Sequence, residues 1–243
     1  MRSGLYIGAS GWSYDAWRWG FFAGVRRKDW LRHYAGQFNA VEVNASFYGS
    51  LAPKTFERWR EETPAGFRFT IKAHRYLTHI AKLRFPAESL VRQREAAMAL
   101  GEKLAAVVWQ MPKRLFLDMA RLESFAGILQ DWPDARHVLE FRDASWFIPE
   151  VADCLFRHGL AACQSDSADW PLWDAVTTNL AYVRLHGHEA TYASAYSDAQ
   201  LRFWAARIES WLSEDRQVHV YFDNTDAGNA PKDALRLMAL LGG

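Results

Sequence analysis

Long apolar runs are missing from this chain of 243 residues. No window approaches the ~20 apolar residues of a membrane span, which argues against a membrane partner. The first residues, Met1 to Gly8, hold neither the apolar stretch nor the small-residue cleavage site of an export signal, so a cytoplasmic location is expected. Cysteine is scarce: Cys154 and Cys163 are too few for a disulfide framework, and without a Cys-x-x-Cys or Cys/His cluster they suggest no structural zinc. An excess of either charge is also lacking. With 29 Lys+Arg against 28 Asp+Glu the net charge is +1, so nothing draws nucleic acid or an anionic membrane in bulk, and a nucleic-acid partner would need a local patch. No low-complexity linker divides the chain, which is read as one domain over residues 1–243.

What is abundant is apolar and aromatic: half of the residues are hydrophobic and twelve are Trp. Such a chain builds a large core and either wide aromatic packing layers or an aromatic-walled cleft. Short β-branched runs recur, each followed by a helical pattern, as in a parallel sheet with crossover helices. Eight strands are predicted, around Leu5–Ala9, Ala40–Asn44, Phe67–Lys72, Ala105–Gln110, His137–Arg142, Leu160–Gln164, Ala181–His186 and Val218–Asp223. Helices are predicted over Asp29–Phe38, Lys54–Glu62, Ala87–Gly101, Asp118–Trp132, Pro149–His158, Asp198–Glu214 and Pro231–Leu241, with at most a turn or two in Trp170–Asn179. Ser197 or Asp198 is a natural cap for the sixth predicted helix, and Gly159 a stop for the fifth.

Strand parity is more informative than strand count. Val41 and Val43 alternate with Glu42 and Asn44, Leu139 and Phe141 with Glu140 and Arg142, Val183 and Leu185 with Arg184 and His186, and Val220 and Phe222 with Tyr221 and Asp223. A parallel sheet covered on both faces reads as continuous apolar runs, so a charged face gathered at the strand C-termini calls for a barrel lumen. The expected fold is therefore α/β, a single (β/α)8 TIM-type barrel with a polar C-terminal mouth, where such barrels place their chemistry.

In order along the chain stand Gly8-Ala9-Ser10-Gly11-Trp12-Ser13-Tyr14, Val41-Glu42-Val43-Asn44-Ala45-Ser46-Phe47-Tyr48, Thr63-Pro64-Ala65-Gly66-Phe67, Gln110-Met111-Pro112, Glu140-Phe141-Arg142, Tyr182-Val183-Arg184-Leu185-His186-Gly187 and Tyr221-Phe222-Asp223-Asn224-Thr225. Across nearly its whole length the sequence resembles the family of TIM-type barrels called domain of unknown function 72, or YecE-like. The resemblance implies an eight-stranded barrel and brings no settled reaction, so function is argued from the residues.

The candidate constellation near the lumen is Glu42, Lys72, Glu140, Arg142, Asp166, Arg184, His186 and Asp223, supported by Asn44, Gln110 and Asn224; parity points Glu42, Lys72, Glu140, Arg142, Arg184 and Asp223 inward. Glu42, Glu140, His186 and Asp223 are the candidate acid/base groups. Lys72, Arg142 and Arg184 suit an anion, since guanidinium forks match phosphate or carboxylate oxygens. Trp12 and Tyr48, with Tyr14, Trp17, Phe47, Trp146, Tyr192 and Tyr196, would form an aromatic rim, or else a second hydrophobic layer. The reading is a hydrolase or lyase type enzyme acting on a phosphorylated or polyhydroxylated small molecule, without a cofactor. Competing readings are a salt-bridge network that only stabilises, a non-catalytic binder of nucleic acid or a phosphorylated ligand, and a metal-dependent phosphodiesterase using Glu42, His74, Glu140, Asp166, His186 and Asp223. No metal is expected, because the three cations interleaved among these ligands repel one.

Overall fold

The computed structural model describes residues 2–242. Its eight parallel strands are β1 (Leu5–Ala9), β2 (Ala40–Val43), β3 (Arg68–Lys72), β4 (Leu104–Gln110), β5 (Arg136–Glu140), β6 (Ala161–Asp166), β7 (Leu180–Leu185) and β8 (Gln217–Phe222). The helices are α1 (Trp30–Gln37), α2 (Ala45–Tyr48), α3 (Pro53–Glu62), α4 (Glu88–Met98), α5 (Met119–Leu129), α6 (Pro149–Arg157), α7 (Asp198–Ser213) and α8 (Asn229–Leu240). Pro at the first turn of α3 and α6 suits a position whose N–H has no helical partner. At α7 Ser197 accepts from the Gln200 N–H while the Gln200 side chain accepts from the Ser197 N–H, a reciprocal cap. Gly159, at φ +66°, takes the left-handed turn that ends α6.

The strands run in the order β1-β8-β7-β6-β5-β4-β3-β2, with β1 and β8 paired in parallel from Leu5↔Val218 to Ala9↔Phe222. The barrel is nearly closed. Between β1 and β2 side chains take the place of most of the ladder: Asn39 accepts from the Ile7 N–H at 2.9 Å and donates to the Leu5 carbonyl at 2.8 Å. The Tyr34 hydroxyl accepts from the Ala9 N–H at 2.6 Å and donates to the Ala40 carbonyl at 3.0 Å. Gly8 is required at this seam, since a Cβ there would lie 1.9 Å from the Ala40 carbonyl oxygen.

Two apolar clusters separate inside from outside. Ala40, Ala106, Val108, Val138, Ala161, Cys163, Leu180, Tyr182 and Tyr221, with Tyr6, fill the lumen. Ile7, Val41, Val43, Phe69, Ile71, Trp109, Leu139, Val183, Leu185 and Phe222 face the helices, where Trp30, Trp59, Trp204 and Trp211 pack against them. The alternation read from the sequence thus sorts these residues onto the two faces. Five strands end elsewhere than predicted: β5 two residues earlier, β2, β7 and β8 one residue earlier, and β6 two residues later. β2 stops at Val43, because Asn44 turns to helical dihedrals and opens α2. β6 runs two residues past Gln164, to Asp166, since its ladder with β7 continues to Asp166↔Leu185.

Candidate active site

Arg184, on β7, is the hub of the lumen's upper half and is fully buried. Its Nε donates to both Glu42 oxygens at 3.0 and 3.1 Å, its Nη1 to Glu140 Oε2 at 2.5 Å, and its Nη2 to Glu42 Oε1 at 2.6 Å and Asp223 Oδ2 at 2.9 Å. Three strands thereby supply carboxylates to one guanidinium. Glu42 also accepts from the Ser10 hydroxyl and from the Tyr182 hydroxyl, each at 2.7 Å. Glu140 also accepts from Arg142 Nε at 2.8 Å and the Ser165 hydroxyl at 3.1 Å. Such saturation is what makes buried charge tolerable.

His186 stands two residues beyond Arg184 and closes the cluster, its Nε2 lying 3.3 Å from Glu140 Oε1. Its Nδ1 lies 3.0 Å from Asp223 Oδ2 but off the line that a hydrogen bond requires. Burial alone would raise the Glu140 carboxyl, yet Arg142, Arg184 and His186 together hold it well below the usual range. Burial likewise opposes ionisation of Asp223, and Arg184, His186 and Lys72 still bring it down to about 2.

Two cations are used differently. Arg142 spends Nε on Glu140 and Nη1 on the Tyr192 hydroxyl, 3.0 Å away, and lies 4.2 Å from the centre of the Trp170 ring. Its Nη2 is buried without a protein partner. Lys72 has its Nζ 4.4 Å from the centre of the Phe47 ring, and among the described residues no carboxylate lies within ion-pair distance of it. Burial first, and then the nearby Arg184 charge, lower Lys72 to about 8 against the opposing pull of Asp223. At the β1 side Tyr14 donates to the Ser10 carbonyl and is raised to about 12 by burial and by Asp223. Asn44 donates to the same carbonyl at 3.3 Å, and its Oδ1 is buried without a partner.

Glu42, Lys72, Glu140, Arg142, Arg184, His186 and Asp223 therefore converge at the strand C-termini, as parity requires. Several expectations need correction. Arg184 cannot grip an external anion, because its donors are consumed by Glu42, Glu140 and Asp223. Glu42 and Glu140 are engaged on both oxygens, by Arg184 with Ser10 and Tyr182 and by Arg184 with Arg142 and Ser165, whereas Asp223 meets Arg184 through Oδ2 alone. Asp166 points away from the lumen, accepting from Trp204 Nε1 at 3.3 Å and facing His188 Nδ1 at 2.9 Å; the longer β6 puts Ser165 inward instead. Asn224 also faces outward and donates to Ser194 O and Asp233 Oδ2, which ties β8 to α8. Gln110 does face inward, yet its amide donates to the Met111 carbonyl.

The aromatic rim divides. Trp17, Phe47, Trp146 and Tyr196 are buried, Trp12 meets Trp59 edge-on at 4.9 Å, and Tyr48 is 74% exposed beyond the cluster. Trp12, Tyr14, Asn44 and Trp59, with Arg27 and Lys28, line a cavity of about 550 Å³ beside the mouth. Ser10, Ser165 and Tyr182 were missed by the sequence reading. Tyr182 shares the parity of Arg184 and was legible on that ground, whereas Ser165 was hidden by ending β6 too early.

A family model described as protein of unknown function DUF72 matches residues 6–243. The UPF0759 protein YunF of Bacillus subtilis is 24% identical over 98% of this chain and 94% of its own. The UPF0759 protein YecE of Escherichia coli is 35% identical over 40% of this chain and 35% of its own. Among solved structures, a DUF72 protein of Thermotoga maritima superposes with a TM-score of 0.85 at 25% identity, covering 98% of this chain and 99% of that one. One from Enterococcus faecalis does so with a TM-score of 0.86 at 19% identity, over 98% and 96%. With the TIM-like barrel and a match over almost its full length, this chain belongs to the DUF72 family.

Proposed function

We propose that the barrel mouth is an active site for acid/base chemistry, of hydrolase or lyase type, on a phosphorylated or polyhydroxylated small molecule. The observation that carries this reading is the unequal use of the three buried cations. Arg184 is fully spent on carboxylates, whereas Arg142 keeps an unpartnered Nη2 and Lys72 an unpaired ammonium. Stability alone gives no reason to leave Arg142 Nη2 buried without a partner, which costs about 1–3 kcal/mol. An anionic group seated between Lys72 and Arg142 would satisfy both.

Glu42 and Glu140, held by Arg184, are then the rigid electrostatic floor and not the proton carriers. Proton transfer falls to Lys72, which gives up its proton near pH 8; Asp223, held by Arg184 like the two glutamates, belongs to that floor. The cavity flanked by Trp12 is of small-molecule size and offers an aromatic face to the uncharged body of the substrate. Among the described residues no helix is long and apolar enough to cross a membrane.

Binding of inorganic phosphate and of a panel of sugar phosphates, followed by calorimetry, tests the site. Lys72→Met and Arg142→Lys are each expected to weaken binding about tenfold or more, the second because the planar fork is lost while charge is kept. Affinity unchanged from wild type in both variants would sink the reading, and binding without turnover of any phosphorylated substrate would leave a carrier in place of an enzyme.

A further inference from the structure

We propose that Glu123, Cys154 and His158 form a divalent-metal site of the zinc type in the outer helical layer, between α5 and α6. One donor atom from each lies within 4.8 Å of the other two, and Glu123 Oε2 is 3.0 Å from His158 Nε2. Cys154 and His158 are four residues apart at the C-terminal end of α6, so they share one face, and Glu123 reaches them from α5. Around a tetrahedral zinc, bonds of about 2.0–2.3 Å set donors about 3.4–3.6 Å apart. Bringing donors from at most 4.8 Å to that spacing takes a shift of about 1 Å.

The surroundings favour a cation. Cys154 is fully buried, while the side chains of His158 and Glu123 are 24% and 39% exposed, which gives an ion a route in and leaves water the fourth position. The last carbonyls of α6 add partial negative charge. On binding, the S–H bond of Cys154 gives way to S–metal and its proton passes to water. Arg157 Nη2 now holds Glu123 Oε1 at 2.5 Å and is the obvious competitor, but its side chain is 58% exposed and free to swing into water. Cys154 and His158 stand four apart in the sequence, but two donors at that spacing make no site, and the third is 31 residues before Cys154, on another helix.

The alternative is a hydrogen-bond staple in which thiol, imidazole and guanidinium share one carboxylate. The two readings part at Arg157. Titration of the full chain with Co²⁺, and with Zn²⁺ by competition against a chromogenic chelator, is expected to show one equivalent bound with a thiolate-to-cobalt charge-transfer band. Cys154→Ser should abolish the band, His158→Ala and Glu123→Gln should each weaken zinc about tenfold or more, and Arg157→Ala should tighten it. No band in the wild-type chain, a band that survives Cys154→Ser, or zinc uptake unchanged in His158→Ala and Glu123→Gln overturns the site. Should Cys154→Ser fold poorly, Arg157→Ala still decides: weaker or unchanged zinc binding there favours the staple.

Discussion

The lower lumen of the barrel closes on neutral groups, the upper lumen on ions. Below, the Tyr6 and His219 rings stack with centroids 4.5 Å apart, and the Tyr221 hydroxyl sits 2.9 Å from His219 Nδ1 and 3.1 Å from Thr70 Oγ1. Above, Arg184 gathers Glu42, Glu140 and Asp223, with donors on Lys72 and Arg142 left over. Tyr182 joins the halves, its ring 5.3 Å from that of Tyr221 and its hydroxyl on Glu42. A lumen can be filled either way, so the difference shows where selection for stability ends. The neutral layer pairs its polar groups with one another, whereas the charged layer leaves Arg142 Nη2 without a protein partner, the donor on which the proposed anion site rests.

The sharpest way to break this comparison is to remove the hub. Arg184→Met keeps the volume but leaves three buried carboxylates facing one another, and should cost about 3–5 kcal/mol or prevent folding. Urea denaturation measures it, or soluble yield if the variant does not fold. A loss under about 1 kcal/mol would mean that the carboxylates find water or protons easily, and the upper lumen would no longer be distinct.

Acid should strike the lower lumen first. Burial, with Arg136 and Arg68 nearby, lowers His219 from 6.5 to about 3. The folded chain therefore keeps this imidazole neutral while the unfolded chain protonates it, and the stability present above pH 6.5 is lost as pH falls toward 3. For Asp223, lowered to about 2, the corresponding loss begins only below pH 4. Comparing wild type with His219→Gln, the difference in unfolding free energy should change by about 3 kcal/mol between pH 6.5 and pH 4. Parallel curves would show that His219 has access to water.

How much of this was legible in the sequence follows the same division. Alternation found the barrel and carried Glu42, Glu140, Arg184 and Asp223 to one face, because a strand offers only two directions. It could not say which cation is consumed, since that depends on distances between strands far apart in sequence, such as the 142 residues separating Glu42 from Arg184. Strand ends are harder, since a single step there reverses the direction: Asp166 and Asn224 are expected near the lumen and lie against helices.

Lys72 gives the comparison its opposite sign. Its pKa, lowered from 10.5 to about 8, means that folding disfavours the ammonium; the penalty is full below pH 8 and fades as pH rises toward 10.5. Lys72→Met should therefore stabilise the chain at pH 7 by about 2–3 kcal/mol while weakening anion binding about tenfold or more, the trade expected of a site residue. Thermal melts at pH 7 and pH 10.5 measure it. A destabilised variant would make Lys72 a structural partner of Asp223 and Glu42 and would count against the proposed site.

The smallest effects belong to the two tyrosines at the boundary, and they sharpen it. Tyr182→Phe removes a donor from Glu42, the carboxylate gripped by Arg184, and hydrogen bonds to charged groups contribute about 1.5–3 kcal/mol. Tyr221→Phe removes a hydroxyl shared by neutral partners, Thr70 and His219, where about 1 kcal/mol is expected. The two substitutions delete the same atom from neighbouring rings, so packing losses cancel between them and the difference isolates the charge of the acceptor. Equal costs would mean that Arg184 and Ser10 already satisfy Glu42, and the boundary between neutral and charged layers would lie one step higher, above Tyr182.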